Sequence, residues 1–408
     1  MKSIAILGFG VVGCGVAEVI AMNHERIAKR LGEELVVKKI LDIREFPDSP
    51  FASLVTNKKE DVFDDPEISI VVETIGGARI AYEYTKMALS AGKTVVTSNK
   101  ELVSTHGVEL VKLARENNCN YLFEASVGGG IPIIRPLHRC LAANKVERIA
   151  GIVNGTTNYI LTQMAENGSD FDSALKEAQA KGYAEQNPSA DIDGIDAQRK
   201  IAILSTIALD GAYVDPTKLF TVGITAITTK DMEYAREMNA SIKLLAVFEN
   251  DDEGAFAYVA PHLVSKEHPL ACANDVFNAI MVTGNAVGDA MFYGQGAGKM
   301  ATASAVVGDV MDAAEHETRD AHVAEWFEAG DVLAPIEKHH ISVLLRLPAD
   351  VSEDTVSEAF PEISMQPCVY EAEGEKAFIL GKEGDMTEAQ LAVGLESFEN
   401  IISVIRIF

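Results

Sequence analysis

Between Gly182 and Lys200 the chain reads GYAEQNPSADIDGIDAQRK, with carboxylates at Glu185, Asp191, Asp193 and Asp196 and bases at Arg199 and Lys200. Asp196 and Lys200 are four positions apart, so on a helix they share a face, one turn from each other. The acids at 191, 193 and 196, followed by the apolar run IAILSTIAL, predict a helix that starts near Ala190 and runs into a core. A carboxylate-rich loop feeding a lysine at the start of a buried helix suits one kind of chemistry. The acids hold an ammonium group, and one lysine is kept in place to transfer a proton. A solvated loop with an ordinary Asp–Lys helix pair, worth roughly 0.2–0.5 kcal/mol, shows the same charge pattern.

The elements that must position such a site begin at the N-terminus. Residues 3–7 form a short apolar strand, Gly8-Phe9-Gly10-Val11-Val12-Gly13 follows, and a helical pattern runs on to about Arg30. This is where a dinucleotide fingerprint belongs, after a strand and opening a helix. Gly8 allows the tight turn, Gly10 lets the backbone approach a pyrophosphate, and Gly13 allows close helix–strand packing. The helix start turns its free N–H groups to the phosphates. Further strands are expected at Leu35–Leu41, Ser69–Glu73, Thr94–Ser98 and Tyr121–Glu124, with helices near 79–91 and 101–117. Alternating strands and helices predict a parallel, doubly wound sheet. The second strand ends in Asp42-Ile43-Arg44. Asp42 could take a ribose 2′-hydroxyl, as for NAD, and Arg44 a 2′-phosphate, as for NADP. Asp42 lies 29 positions after Gly13, against about 20 in the usual fingerprint, so the first helix or its exit loop must be long.

From about residue 131 the texture changes. VERIAGIV (146–153) reads as a strand, and Asn154-Gly155-Thr156-Thr157-Asn158 as a polar turn and helix cap. Helices follow at about 156–167 and 171–181. SIKLLAVF, AFAYVAP, VFNAIMV and AVGDAMFY (241–293) predict a mostly antiparallel sheet, a common oligomer platform. The turn Gly294-Gln295-Gly296-Ala297-Gly298 suits close approach to a cofactor, to another backbone, or a tight interdomain turn. The last ~70 residues give β-α-β-β-α-β, a ferredoxin-like module expected to stand as a separate unit.

The totals bound the partners. A chain of 408 residues with net charge −26 and pI ≈ 4.7 offers no basic surface for nucleic acid or an anionic membrane. The five cysteines, 14, 119, 140, 272 and 368, have no metal-ligand spacing and read as reduced thiols of a cytoplasmic protein. Lys2 and the uncharged stretch to Ala17 imitate an export signal, but regularly spaced glycines interrupt it. Cys14, just inside the glycine loop, could meet oxidants or pack on the sheet. No His/Cys/Glu cluster near His106 or His138 has zinc spacing.

Six segments in order resemble homoserine dehydrogenase of the long, monofunctional kind with a C-terminal ACT domain. They are GFGVVG, TSNKELV (97–103), FEASVGGGIPII (123–134), GIVNGTTNYIL (151–161), GYAEQNPSADIDGIDAQRKIAIL (182–204) and GQGAGKMATASAVVGD (294–309). No kinase-like segment precedes the glycine loop, so the bifunctional fusion with aspartokinase is not expected. The resemblance implies an α/β chain of three domains. A Rossmann-type NAD(P) domain takes 1–130, completed by a helix near 301–318. A mixed or antiparallel-sheet domain for substrate and dimerisation takes 131–300, and an ACT domain takes 337–408.

The resemblance also implies the chemistry, which is reduction of aspartate 4-semialdehyde to homoserine with NAD(P)H on the route to threonine, methionine and isoleucine. Lys200 corresponds to the lysine that exchanges a proton with the substrate oxygen, oriented by Asp196, and Lys100 to a second active-site lysine. Lys100 ends a parallel strand, where doubly wound folds bind ligands. A cation at a helix start is also unfavourable on dipole grounds, which speaks for a function. Glu185 would hold the substrate ammonium, with Asp191 shaping the pocket and Gly155 and Thr156 flanking it. Cofactor contacts would come from Gly8, Phe9, Gly10, Val11, Val12, Gly13, Arg44, Thr74, Ser98, Lys100 and Gly296. Backbone carbonyls of Glu124, Val127, Gly129 and Ile131 match a monovalent cation site, usually sodium. Threonine is the implied effector of the tail, and a homodimer or homotetramer the implied assembly.

Two departures stand out. The family often has Asp-Pro where Asn187-Pro188 stands, and Pro where Ala301 stands. Neither touches the lysines or Glu185, so they bear on affinity. An oxidoreductase acting on another amino-acid-derived carbonyl, or a non-catalytic sensor that binds NAD(P)H and tolerates loss of Lys200, would share much of this pattern.

Overall fold

The computed structural model describes residues 1–316 and 325–408. They form two compact units: Met1–Val146 with Ala202–Thr217 and Gly284–Val332, and Glu147–Ile201 with Lys218–Thr283 and Leu333–Phe408. Each unit is thus assembled from three stretches of chain, whereas the sequence reading cuts at 130, 300 and 337. Among the described residues no helix is long and apolar enough to cross a membrane.

The first unit holds the sheet of β1 (Lys2–Leu7), β2 (Leu35–Leu41), β3 (Val55–Thr56), β4 (Ile68–Glu73), β5 (Thr94–Thr97) and β6 (Tyr121–Leu122), in the order β3-β2-β1-β4-β5-β6. Every neighbouring pair is parallel. This is the Rossmann order, and the connections reverse direction between β1 and β4, where such folds open a ligand crevice. The strands are buried runs such as Ile4–Leu7 and Val95–Val96, as expected of a sheet covered on both faces. β3 is two residues long, too short to carry a period, and is absent from the expected strands. The expected helix to Arg30 is two helices, Val11–Met22 and His24–Leu31, meeting at Asn23. The second of them supplies the extra length before Asp42. Helix Lys299–Glu315 packs on Val11–Met22. A Cβ on Gly15 would stand 2.8 Å from the Lys299 carbonyl oxygen, so that packing requires glycine there. Positions 317 and 318 of the expected helix lie outside the described residues.

The second unit is built on a mixed sheet. Its strands are β7 (Val146–Ile152), β8 (Phe220–Thr221), β9 (Ala240–Asn250), β10 (Ala255–Ser265) and β11 (Phe277–Gly284). After β12 (Gly288–Gln295) in the chain come β13 (Ser342–Pro348), β14 (Met365–Pro367), β15 (Glu375–Leu380) and β16 (Ser403–Ile407). The order is β11-β7-β9-β10-β16-β13-β15-β14, with β8 beside β10. The tail has its expected β-α-β-β-α-β order, with helices Glu353–Ala359 and Glu388–Leu395, and its strands lie 4-1-3-2. It does not stand apart as expected. β16 pairs in parallel with β10, His262 opposite Arg406 and Leu263 opposite Ile407, so the tail extends the same sheet. Backbone groups on the edge of β10 find partners this way.

The helix expected from Ala190 is also divided. A short turn, Ser189–Ile192, stops at Gly194, and helix Ile195–Ala208 starts anew. Gly194 has φ +84, and a Cβ there would meet Thr221 Cγ2 at 3.0 Å. A left-handed residue ends a helix, and here only glycine takes that conformation without strain.

Candidate active site and cofactor cradle

The glycine loop has the shape its sequence predicts. Gly8 takes φ +86, and a Cβ on Gly13 would lie 2.1 Å from the Gly8 carbonyl oxygen. Both glycines are therefore required by the fold alone. Gly10 is different, since a Cβ there would meet nothing within 4 Å. Its lack of a side chain leaves open space at the start of helix Val11–Met22, as a cradle for pyrophosphate needs. Thr74 closes the loop from β4, its hydroxyl donating to the carbonyls of Leu7 at 3.1 Å and Gly8 at 2.8 Å. Gly296 approaches a backbone. A Cβ on Gly129 would fall 2.2 Å from the Gly296 oxygen, and Gly130 N–H donates to the Gln295 carbonyl at 3.1 Å. Cys14 is half-buried, with its thiol donating to Glu18 at 3.4 Å. Burial and that carboxylate raise its pKa.

Asp42 and Arg44 are not alternatives but a pair. Asp42 accepts Phe9 N–H at 2.7 Å from the glycine loop, and its carboxylate takes Arg44 Nε at 3.0 Å and a terminal guanidinium nitrogen at 2.9 Å. Burial opposes the Asp42 charge, yet the hydrogen bonds from Arg44 and the backbone hold its pKa at about 2. Arg44 itself stays largely exposed and lies over the Phe46 ring at 5.1 Å.

Lys100 begins helix Lys100–Glu116 and is half-buried. Its neighbour Asn99 caps that helix, accepting Leu102 N–H at 3.1 Å and donating to Gly77 O at 2.8 Å. Ser98 is half-buried beside it. Beneath, Thr97 donates to Glu73 at 2.6 Å, and Glu73 also accepts Ile75 N–H at 2.6 Å. Glu73 is fully buried, and burial lifts its pKa to about 7 against those two bonds.

In the second unit, Lys200 and Asp196 are buried side by side. Lys200 Nζ donates to Asp196 Oδ2 at 2.6 Å and to the Val153 carbonyl at 2.6 Å. The i,i+4 spacing is thus realised, but inside the protein, where an ion pair must be held by further partners. The principal one is Asn154. Its amide nitrogen donates to Asp191 at 2.7 Å and to Asp196 at 2.9 Å, while its oxygen caps helix Gly155–Asn167 through Thr157 N–H at 2.9 Å. The sequence reading gives Asn154 only its cap. The signal for the rest is weak, because an amide that ends a strand and faces two acids about 40 positions on is visible only once β7 lies beside the loop.

Thr156 donates to the Tyr183 carbonyl at 2.6 Å, tying the cap turn to the acidic loop. Gly155 lets the turn pass Val276, whose oxygen would be 2.8 Å from a Cβ. Glu185 sits exposed on that loop, its backbone carbonyl accepting Gln179 at 3.1 Å. Asp191 is half-buried, so the cluster grades from a buried lysine to an open acidic rim.

The 124–131 loop is organised by carboxylates. Glu124 accepts the N–H groups of Ile133, Ile134 and Arg135 at 2.6, 2.8 and 2.7 Å, and its own N–H donates to Asp309 at 2.8 Å. Val127, Gly129 and Ile131 are buried. Among the described residues their carbonyls accept no backbone hydrogen bond. Buried carbonyls want partners, and a cation would fit that donor set.

A Rossmann sheet with an open glycine cradle, together with a buried lysine beside an acidic loop, defines an NAD(P)-dependent oxidoreductase. Known proteins agree. The family models for homoserine dehydrogenase and for its NAD-binding domain match residues 132–311 and 8–124. A homoserine dehydrogenase of Neisseria gonorrhoeae is 38% identical over 403 residues, covering 96% of this chain and 91% of that one. The crystal structure of a homoserine dehydrogenase from Thiobacillus denitrificans superposes with TM-score 0.88 at 35% identity, covering 100% of this chain and 98% of that one. A hyperthermophilic archaeal homoserine dehydrogenase in complex with NADPH has TM-score 0.65 at 31% identity, covering 77% of this chain and 98% of that one. The chain belongs to the homoserine dehydrogenase family.

Proposed function

We propose that this enzyme reversibly reduces L-aspartate 4-semialdehyde to L-homoserine in the cytoplasm, on the route to threonine, methionine and isoleucine. The observation that carries this reading is the buried Lys200 ammonium, fixed by Asp196 and the Val153 carbonyl at the base of an acidic loop. Bound nicotinamide supplies the hydride. Lys200 stabilises the charge developing on the carbonyl oxygen and transfers a proton to it, and to the reverse reaction offers a base. Asp196 and Asn154 orient Lys200, and Asn154 carries that order to Asp191. Glu185 binds the substrate ammonium from the exposed loop, with Gly155 and Thr156 alongside. Lys100 serves nicotinamide and substrate from its helix start.

The cofactor is held by Gly8 to Gly13 (with Phe9, Val11 and Val12 between), Arg44, Ser98 and the Thr74 and Gly296 turns. Arg44, paired to Asp42 yet exposed, supports use of NADP as well as NAD. A sodium ion on the carbonyls of Glu124, Val127, Gly129 and Ile131 would fix that loop. The β-α-β-β-α-β tail, with strand order 4-1-3-2, supports an ACT domain that senses threonine, in a homodimer or homotetramer. The test is homoserine-dependent reduction of NAD+ and NADP+ by the wild type and Lys200→Ala, with and without threonine. Turnover that collapses in the variant is expected. Wild-type protein that binds NAD(P)H but turns over neither cofactor would move the assignment to another substrate or to a sensor.

A further inference from the structure

We infer that the second unit holds a small-oxyanion site where the tail joins the sheet. Arg148 on β7 stands opposite Glu249 on β9, and His262 on β10 stands beside Arg406 on β16. With Tyr258 and His339 they line a cavity of about 180 Å³. Two polar atoms in this lining are orphaned. Arg148 Nε and His339 Nδ1 are buried with no hydrogen-bond partner among the described residues, and His339 is only 6% exposed. Leaving such groups unmet costs more than a neutral pair would, so each calls for a partner.

The charges around the cavity select the partner's sign. Arg406 Nε donates to Glu388 at 2.9 Å. His339 Nε2 meets Glu249 at 2.7 Å, and His340 meets the Gly384 carbonyl at 2.7 Å and lies 3.5 Å from Glu253. His262 is kept neutral, with burial pushing its pKa down to about 3, and burial likewise keeps the Tyr258 hydroxyl protonated. The Arg148 guanidinium instead lies over the Phe408 ring at 5.1 Å. Among the described residues, it is the cation of this cavity for which no carboxylate partner appears.

A small anion with paired oxygens, a carboxylate or phosphate, matches a guanidinium fork. Glu249 can only accept, so His339 Nε2 carries the proton of that bond, which leaves Nδ1 an acceptor.

The test is calorimetric titration of the whole chain with inorganic phosphate and, separately, acetate, at fixed ionic strength and fixed pH. Saturable binding is expected for one or both, and the pair of titrations tells phosphate from carboxylate. Arg148→Gln should weaken binding by about tenfold or more. Arg148→Lys, which keeps the charge and loses the fork, gives an intermediate affinity and serves if Arg148→Gln does not fold. No saturable heat, or equal binding by the wild type and the Arg148 variant that folds, overturns the site and leaves the orphaned atoms to water. The readout is binding, so it stands apart from any result on homoserine turnover.

Discussion

Two buried charge clusters in the second unit invite comparison. Around Lys200, one ammonium faces Asp196, with Asn154 relaying to Asp191 and the loop beyond. Around Arg346, the guanidinium bonds Asp231 and Glu375, Lys230 adds a second cation on Glu375 at 2.9 Å, and the Tyr234 ring lies 4.8 Å away. Arg346 and Asp231 are 1% and 0% exposed. The Arg346 cluster balances two cations with two acids, and what reaches solvent from it is the cation Lys230. The Lys200 cluster opens toward the surface through Asp191 and the exposed Asp193. Burial of charge is thus no functional signal by itself. What differs is the charge each cluster turns to solvent, a cation at Lys230 and acids at Asp191 and Asp193.

The comparison breaks if the two clusters respond alike. The largest effect is expected from Lys200→Ala. It should cut kcat by about 10²–10⁴ in steady-state assays, with circular dichroism showing a folded chain. Arg346→Ala should do the reverse. Stripping one partner from a buried network should cost about 3–5 kcal/mol in urea unfolding, with kcat per folded molecule unchanged.

Glu73 sharpens the point as a buried acid whose described hydrogen bonds come from neutral donors. Its pKa is raised from 4.5 to about 7, so the folded state holds the proton longer than the unfolded chain. The stabilisation is complete below about pH 4.5 and is lost as pH rises through 7, a swing of about 3 kcal/mol. Glu73→Gln should flatten that slope in unfolding measured from pH 5 to 8, and an unchanged slope would discard the assignment. The smallest stability change is expected at Asn154. Asn154→Ala should cost about 1 kcal/mol for the lost cap, yet lower kcat by up to about 10² through a misplaced Lys200. Loss of stability without loss of rate would reduce Asn154 to a cap.

Legibility in the sequence followed range. Gly8, Gly10 and Gly13 act over one turn, and their spacing states their geometry. The helix near Lys100 and the cap at Asn154 were likewise readable, since a cap bonds three positions on. The break at Gly194 was not, because the acids around it look helical and only the approach of Thr221 requires a glycine turn. The pairing of Asp42 with Arg44 and Phe9 was not read, because Asp42 and Arg44 each suit a cofactor contact and Phe9 lies 33 positions away.

What the sequence determined by itself was local. It set the strand–glycine–helix start, the parallel alternation, the β-α-β-β-α-β tail and the Asp196–Lys200 face, each fixed by periods of two to four residues. What only the tertiary structure decided was which distant groups share a dielectric and a hydrogen bond. It set Asn154 between two acids, joined β16 to β10, and turned Arg148 and His339 into one cavity. Pairings over tens to hundreds of positions leave no period in the chain. They are chosen when sheets and helices dock and each buried polar group must find a partner.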